Sequence, residues 1–172
     1  MARFCSGDSA AFEPLYRRYA GLLHGYLLRL VRSPSAAEDA VQLTFASVIR
    51  SRGRFTRGAR VKPWLYAIAT NAARDLFRRG RGEELSTPEQ LGAWAEPVQP
   101  GVQDRGLQLR VRRALEALPP AQREAIVLHR WEGLSFAEIA EVVGVSETAA
   151  KVRAHRGYER LRELLSDLKE DA

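Results

Sequence analysis

Apolar residues recur along this chain with a helical period and nowhere alternate as a strand would require. In the first stretch they fall at Phe12, Leu15, Tyr16, Tyr19, Leu23, Tyr26, Leu27 and Leu30. Steps of three and four lay such residues along one face of a helix. Asp8 is placed to cap it, so the pattern predicts a helix from about Ser9 to Arg32, broken by Ser33-Pro34. Ser35 and Glu38 then stand at S-x-x-E spacing, which predicts a capping box for a second helix carrying Val41, Phe45, Val48 and Ile49 and stopping before Gly53. A basic loop from Arg54 to Lys62 leads into a third helix, from about Pro63 to Arg79, with Pro63 suited to its first turn. Periodicity fades over residues 81–105, where glycine and proline accumulate, and this stretch is predicted as a flexible linker. Helices resume from Leu107 to Leu118, and again after Pro119-Pro120 through Trp131, ending at Gly133.

The segment after Gly133 is the most informative. Ser135 and Glu138 form an S-x-x-E box opening a short helix whose Phe136, Ile139, Ala140 and Val143 share one face. Gly144 ends it, Val145 fills the corner, and Ser146 is suited to cap a further helix. Two short helices around a tight glycine turn, the second one basic, are the pattern of a DNA-reading helix-turn-helix. On that second helix Ala150, Ala154, Gly157, Leu161 and Leu165 make one stripe, small enough at first to let the backbone pack closely on the preceding helix. Thr148, Val152, His155 and Arg156 point the opposite way, with Lys151 and Arg153 on the flanks. The outward row suits base edges and the flanking cations suit phosphates. Val152 can touch a thymine methyl and Arg156 can address a guanine. The plainer account is an amphipathic helix with a solvated cationic face; the capping box, turn and helix lengths together favour DNA reading.

The predicted fold is all-α: two small helical domains, residues 1–80 and 106–172, joined by the linker 81–105. Charge supports that division. Residues 1–80 hold 14 Lys/Arg against five Asp/Glu, residues 81–105 two against five, and residues 106–172 11 against 11. The whole chain carries +6 over 172 residues, and a basic first unit favours a polyanionic partner. Cys5 is the only cysteine, and His24, His129 and His155 lie far apart, so neither a disulfide, a metal nor another cofactor is expected. No apolar run reaches the roughly 18 residues of a membrane span and the first residues lack a signal peptide's apolar core, so a cytoplasmic location is expected.

The first half offers its own chemistry. Arg52, Arg54, Arg57, Arg60 and Lys62 surround Phe55 in a glycine-bearing stretch, directly before PWLYAIATNAARDLFRR. Aromatic rings beside such cations can stack unpaired bases while Arg60, Lys62, Arg74 and Arg78 follow the backbone. Asn71 is placed to read the edge of a base swung out of the duplex. Leu65, Ile68 and Leu76 read as core. For Trp64 the residues leave core packing and base stacking equally open.

AEDAVQLTF (Ala37 to Phe45), PWLYAIATNAARD (Pro63 to Asp75) and LPPAQREAIVLHRWEGLSFAEIAEVVGVS (Leu118 to Ser146), in that order and spacing, resemble bacterial RNA polymerase sigma factors of the extracytoplasmic-function (ECF) group. The likeness runs from about Asp8 to Leu165. It implies a first domain that melts the promoter −10 element and captures non-template bases, and a last domain that binds the −35 element. It also implies an acidic linker threading the polymerase cleft and RNA exit channel, where it would mimic nucleic acid. By the same resemblance, Asp39, Gln42 and Phe45 grip the polymerase clamp helices; Trp64, Tyr66 and Asn71 serve strand opening and base capture; and Lys151, Val152, His155 and Arg156 contact the −35 element. The partners implied are core RNA polymerase, promoter DNA and a cognate anti-sigma factor, often a membrane protein, with no small-molecule substrate. Leu43 stands where the family often has Glu and Ile49 where it often has Trp, which alters the polymerase contact; Val152 in place of the usual Ser should alter promoter choice.

Two other classes compete with this reading. A free-standing helix-turn-helix regulator would normally dimerise on a palindrome, and no heptad seam is visible for that. It would also have no use for a single-strand-binding aromatic loop. An enzyme would need a nucleophile–base set, a phosphate-cradling loop or paired carboxylates, and none is visible.

Overall fold

The computed structural model describes residues 1–56, 58–80 and 105–166, and among these there are helices and turns but no strand. They form two compact units, one N-terminal and one C-terminal. The predicted linker lies outside the described residues, except Arg105, which already opens a helix.

The N-terminal unit comprises α1 (Ala2–Cys5), α2 (Phe12–Val31), α3 (Pro34–Ser51) and α4 (Val61–Gly80). Helices α2, α3 and α4 pack on one another around Leu23, Tyr26, Leu27, Ala40, Val48, Leu65, Tyr66 and Ala69, all buried. Inside that core the Tyr26 and Thr70 hydroxyls are 2.7 Å apart and hydrogen-bonded, and the Tyr26 and Tyr66 rings lie 5.0 Å apart. Such a buried bond adds about 1 kcal/mol net, and it ties α4 to α2 along the face that positions Asn71 just beyond it.

Two predicted helix starts are corrected. Asp8 does cap, accepting from the Ala10 N–H at 3.0 Å, but Ser9–Ala11 form a 3-10 turn, and α2 begins only at Phe12. Pro14 is the reason. It has no N–H for the Ala10 carbonyl and its ring crowds that oxygen, so an α-helix cannot run through from Ser9. In the first turn of α2 the missing donor costs nothing. The cap of α3 is Ser33 rather than Ser35: its hydroxyl accepts from the Ala36 N–H at 3.4 Å and Pro34 takes the first helical position. A residue before proline is pushed to extended backbone, and Ser33 at φ −128°, ψ 124° meets that demand and the cap geometry together. Ser35 instead pairs with the Ser33 hydroxyl at 3.0 Å.

The C-terminal unit comprises α5 (Arg105–Glu116), α6 (Pro120–Arg130), α7 (Phe136–Val143) up to Ala140, and α8 (Glu147–Leu164). Leu115, Leu118 and Ile126 make a buried cluster, with Val111, Trp131, Tyr158 and Leu161 packed against it. Buried Arg123 closes the α5–α6 corner. Its guanidinium donates to the carbonyls of Leu115 (3.0 Å), Glu116 (3.2 Å) and Leu118 (3.0 Å) at the end of α5, where Leu115 also accepts from the Leu118 N–H at 3.2 Å. The α7 capping box is complete: the Glu138 N–H donates to the Ser135 hydroxyl at 3.3 Å and the Ser135 N–H to the Glu138 carboxylate at 2.9 Å. Gly144 ends α7 at φ 74°, a left-handed conformation glycine takes without strain, and Ser146 caps α8.

Candidate nucleic-acid interface

The stripe of small residues on α8 does what the sequence predicts, with a different partner. Ala150, Ala154 and Gly157 are buried, but α8 rests chiefly on α6 rather than on α7. A Cβ at Gly157 would stand 2.6 Å from Ile126 Cδ1 and 3.3 Å from Gln122 Cβ, so the α6–α8 approach depends on glycine there. A second tie lies further along. Tyr158 shares a hydrogen bond with His129 Nδ1 at 3.2 Å, and the His129 ring stacks on Phe136 at 4.5 Å, linking α8 to α6 and α7. Burial pushes the Tyr158 phenol above its ordinary 10.0, keeping it neutral and able to donate.

With one face so fixed, the other is presented. Thr148, Lys151, Val152, His155 and Arg156 are exposed and Arg153 is half-buried at the edge. Val152 is an exposed apolar side chain among cations, at 43% exposure. Helical periodicity does not reveal the role of two acids on this helix: Glu147 pairs with Lys151 at 2.7 Å and Glu159 with His155 at 3.3 Å, both one turn apart. Such exposed pairs contribute little to stability, so Lys151 and His155 can both be released to a polyanion at small cost.

In the N-terminal unit the predicted residues divide. Asp39 and Gln42 are exposed on α3. Phe45 is not available beside them: it is 4% exposed, 4.7 Å from the Tyr16 ring and 5.9 Å from the Phe12 ring. Tyr66, expected to serve strand opening, is fully buried against Tyr26, with the Lys62 ammonium 5.4 Å from its ring. Both rings belong to the core. Helical spacing already sets Phe45 on the apolar stripe with Val41 and Val48, but does not say on which side of the stripe edge Tyr66 falls. Trp64 is half-buried and meets the edge of Phe55 at 5.2 Å, so loop and helix share an aromatic pair. Arg60 is exposed, Lys62 and Arg74 are half-buried, and exposed Arg78 pairs with Asp75 one turn earlier.

Asn71 is exposed and lines a groove between α3 and α4 with Leu43, Ser47, Arg50, Ile68, Ala72 and Asp75. Its volume is about 310 Å³, at the lower end of ligand clefts of about 300–1,000 Å³. An amide that both donates and accepts, apolar walls from Leu43 and Ile68, and the Arg50 cation at the rim can hold one planar polar ring. Ser47 and Arg50, 2.9 Å apart, carry no signal in the sequence, and only the packing of α3 on α4 brings them to Asn71; Asp75 lies one turn along α4 from Asn71.

Among the described residues no cluster of three or more potential metal ligands occurs, and no helix is long and apolar enough to cross a membrane.

Known proteins match this arrangement along its length. Sigma-70 region 2 matches residues 15–83, and Sigma-70, region 4, matches residues 108–161. The chain is similar to the RNA polymerase sigma factor CarQ of Myxococcus xanthus, 47% identical over 168 residues that span 98% of this chain and 97% of that one. It is also similar to the ECF RNA polymerase sigma factor SigM of Mycobacterium tuberculosis, at 34% identity over 98% of this chain and 84% of that one. Among solved structures, RpoE of Bartonella quintana, in complex with the anti-sigma factor NepR, has 29% identity and a TM-score of 0.74 over 91% of this chain and 97% of that one. CnrH, in complex with the cytosolic domain of CnrY, has 28% identity and a TM-score of 0.71 over 96% and 94%. The two helical units are thus sigma regions 2 and 4, and the chain belongs to the ECF group of RNA polymerase sigma factors.

Proposed function

We propose that the two units divide promoter recognition, with residues 1–80 opening and trapping the −10 strand, residues 106–172 gripping the −35 duplex, and residues 81–105 spanning the polymerase between them. The exposed row on α8 carries this reading: Thr148, Lys151, Val152, Arg153, His155 and Arg156 form a base- and phosphate-facing surface on a helix whose other face is fixed by Ala150, Ala154 and Gly157. In the first unit, Trp64 and Asn71 handle bases and Arg60, Lys62, Arg74 and Arg78 handle backbone, while buried Tyr66 holds α4 in place from behind. Asp39 and Gln42 meet the polymerase, with Phe45 supporting α3 beneath them.

The mechanism is binding rather than catalysis, and the chain works in the cytoplasm without a metal or other cofactor. Polymerase holds both units at a fixed span, so two weak DNA contacts add through effective concentration. An anti-sigma factor controls access; one similar structure is bound to an anti-sigma factor and another to the cytosolic domain of its partner, which supports a membrane-linked inhibitor. Run-off transcription with core polymerase, followed by mapping of the start sites, tests the proposal. Start sites at a fixed distance from two recurring elements are expected. Start sites independent of the −35 sequence would contradict it.

A further inference from the structure

We propose that the N-terminal hook, Ala2 to Asp8, positions the basic loop for strand opening, with Phe4 as the positioning residue. The hook lies before residue 15, where the match to Sigma-70 region 2 begins, yet it is built into the fold. Phe4 on α1 is only 2% exposed and its ring lies 5.5 Å from Phe12. The chain then reverses through Gly7, at φ 99°, and Arg3 closes the turn with an ion pair to Asp8 at 2.7 Å. On its outer side the hook meets the 3-10 turn Arg52–Arg54 that starts the loop, and the Arg52 guanidinium lies 5.8 Å from the Phe4 ring centre.

Beyond that turn the loop has one aromatic anchor, Phe55 against Trp64. Phe55 and Gly58 face Ala2, Arg3, Cys5, Ser6 and Asp8 across an open groove of about 510 Å³. The loop's start is therefore held by Phe4 and its middle by Trp64. A side chain that touches neither DNA nor polymerase sets where the Phe55–Trp64 pair stands, and pre-set geometry spares the ordering cost when the separated strand arrives.

This inference rests on the proposed role of Trp64 in opening, so both are tested together. Polymerase holoenzymes carrying Phe4→Leu, Phe4→Ala or Trp64→Ala are compared for the rate of permanganate reactivity on a linear duplex promoter and for the rate of run-off transcription on that promoter and on the same promoter with a pre-opened bubble. Phe4→Leu keeps apolar volume but removes the ring beneath Arg52, so it folds even where Phe4→Ala does not. Expected is several-fold slower opening of the duplex by Phe4→Leu, unchanged closed-complex binding, and wild-type behaviour on the bubble. Wild-type opening by Phe4→Leu with slow opening by Trp64→Ala overturns the hook's role alone. Wild-type opening by Trp64→Ala overturns the reading of the loop itself. An equal loss on duplex and bubble also overturns the hook's role, because Phe4 would then support the fold in general.

Discussion

Arg156 and Val152 stand one turn apart on the exposed face of α8, and they make opposite demands on DNA. Arg156 can donate two hydrogen bonds to a guanine edge. Arg156→Ala in the holoenzyme should therefore cost about 1–3 kcal/mol at one −35 base pair and relax preference there, measured as competition among single-base promoter variants. An equal loss on every variant would make it a phosphate contact. Gly157 answers to the opposite face. Alanine would gain up to about 1 kcal/mol of helix propensity, but it meets Ile126 Cδ1 at 2.6 Å in a fully buried position. Overpacking of about 1–3 kcal/mol wins, so Gly157→Ala should lower the thermal midpoint, and adding Ile126→Val should restore part of it. Single residues are most legible where their chemistry is local: Ser135, Glu138, Gly144 and Ser146 each do what their side chains predict. The family resemblance implies contacts for Phe45 and Tyr66, yet both lie in the core, Phe45 on the apolar stripe that it shares with Val41 and Val48. For Tyr66 only the packing against Tyr26 decides it.

At the scale of elements, the α5–α6 corner depends on one charged side chain. Arg123 gives three hydrogen bonds to carbonyls of residues 115–118 from a buried position. Arg123→Ala removes their shared donor while Leu115 keeps its bond from the Leu118 N–H, and a loss of about 3 kcal/mol is expected in denaturant unfolding of the chain. The hook answers to pH. The hydrogen bond from Arg3 holds the Asp8 carboxyl below its ordinary 3.8, so the tie is fully present above that value. It is lost as pH falls through the lowered value. Phe4 ring resonances should shift in that acid window, and Asp8→Asn should remove the transition. Helix count and order in the two units are largely legible from periodicity; the hook and the helix starts are not. Four residues at α1 are too short to show a period, Pro14 outweighs the apolar pattern that runs through it, and Ser33 outcompetes Ser35 because Pro34 presets its backbone. The α3–α4 groove is half legible: Asn71 and, one turn along the same helix, Asp75 follow from helical spacing, but Ser47 and Arg50 reach them only through tertiary packing.

For the molecule as a whole, each unit by itself offers a modest DNA surface. The C-terminal one partly neutralises Lys151 through Glu147, and in the proposed function the N-terminal one gains its base contacts only as the strands open. In the proposed function neither suffices alone, and the polymerase fixes the distance between them. The most direct test is the affinity of the full chain for a duplex promoter, titrated with and without core polymerase at one salt concentration against a scrambled −35 control. Weak, sequence-independent binding by the chain alone is predicted, with discrimination between promoter and control only when polymerase is present. Tight, selective binding by the free chain would contradict the account.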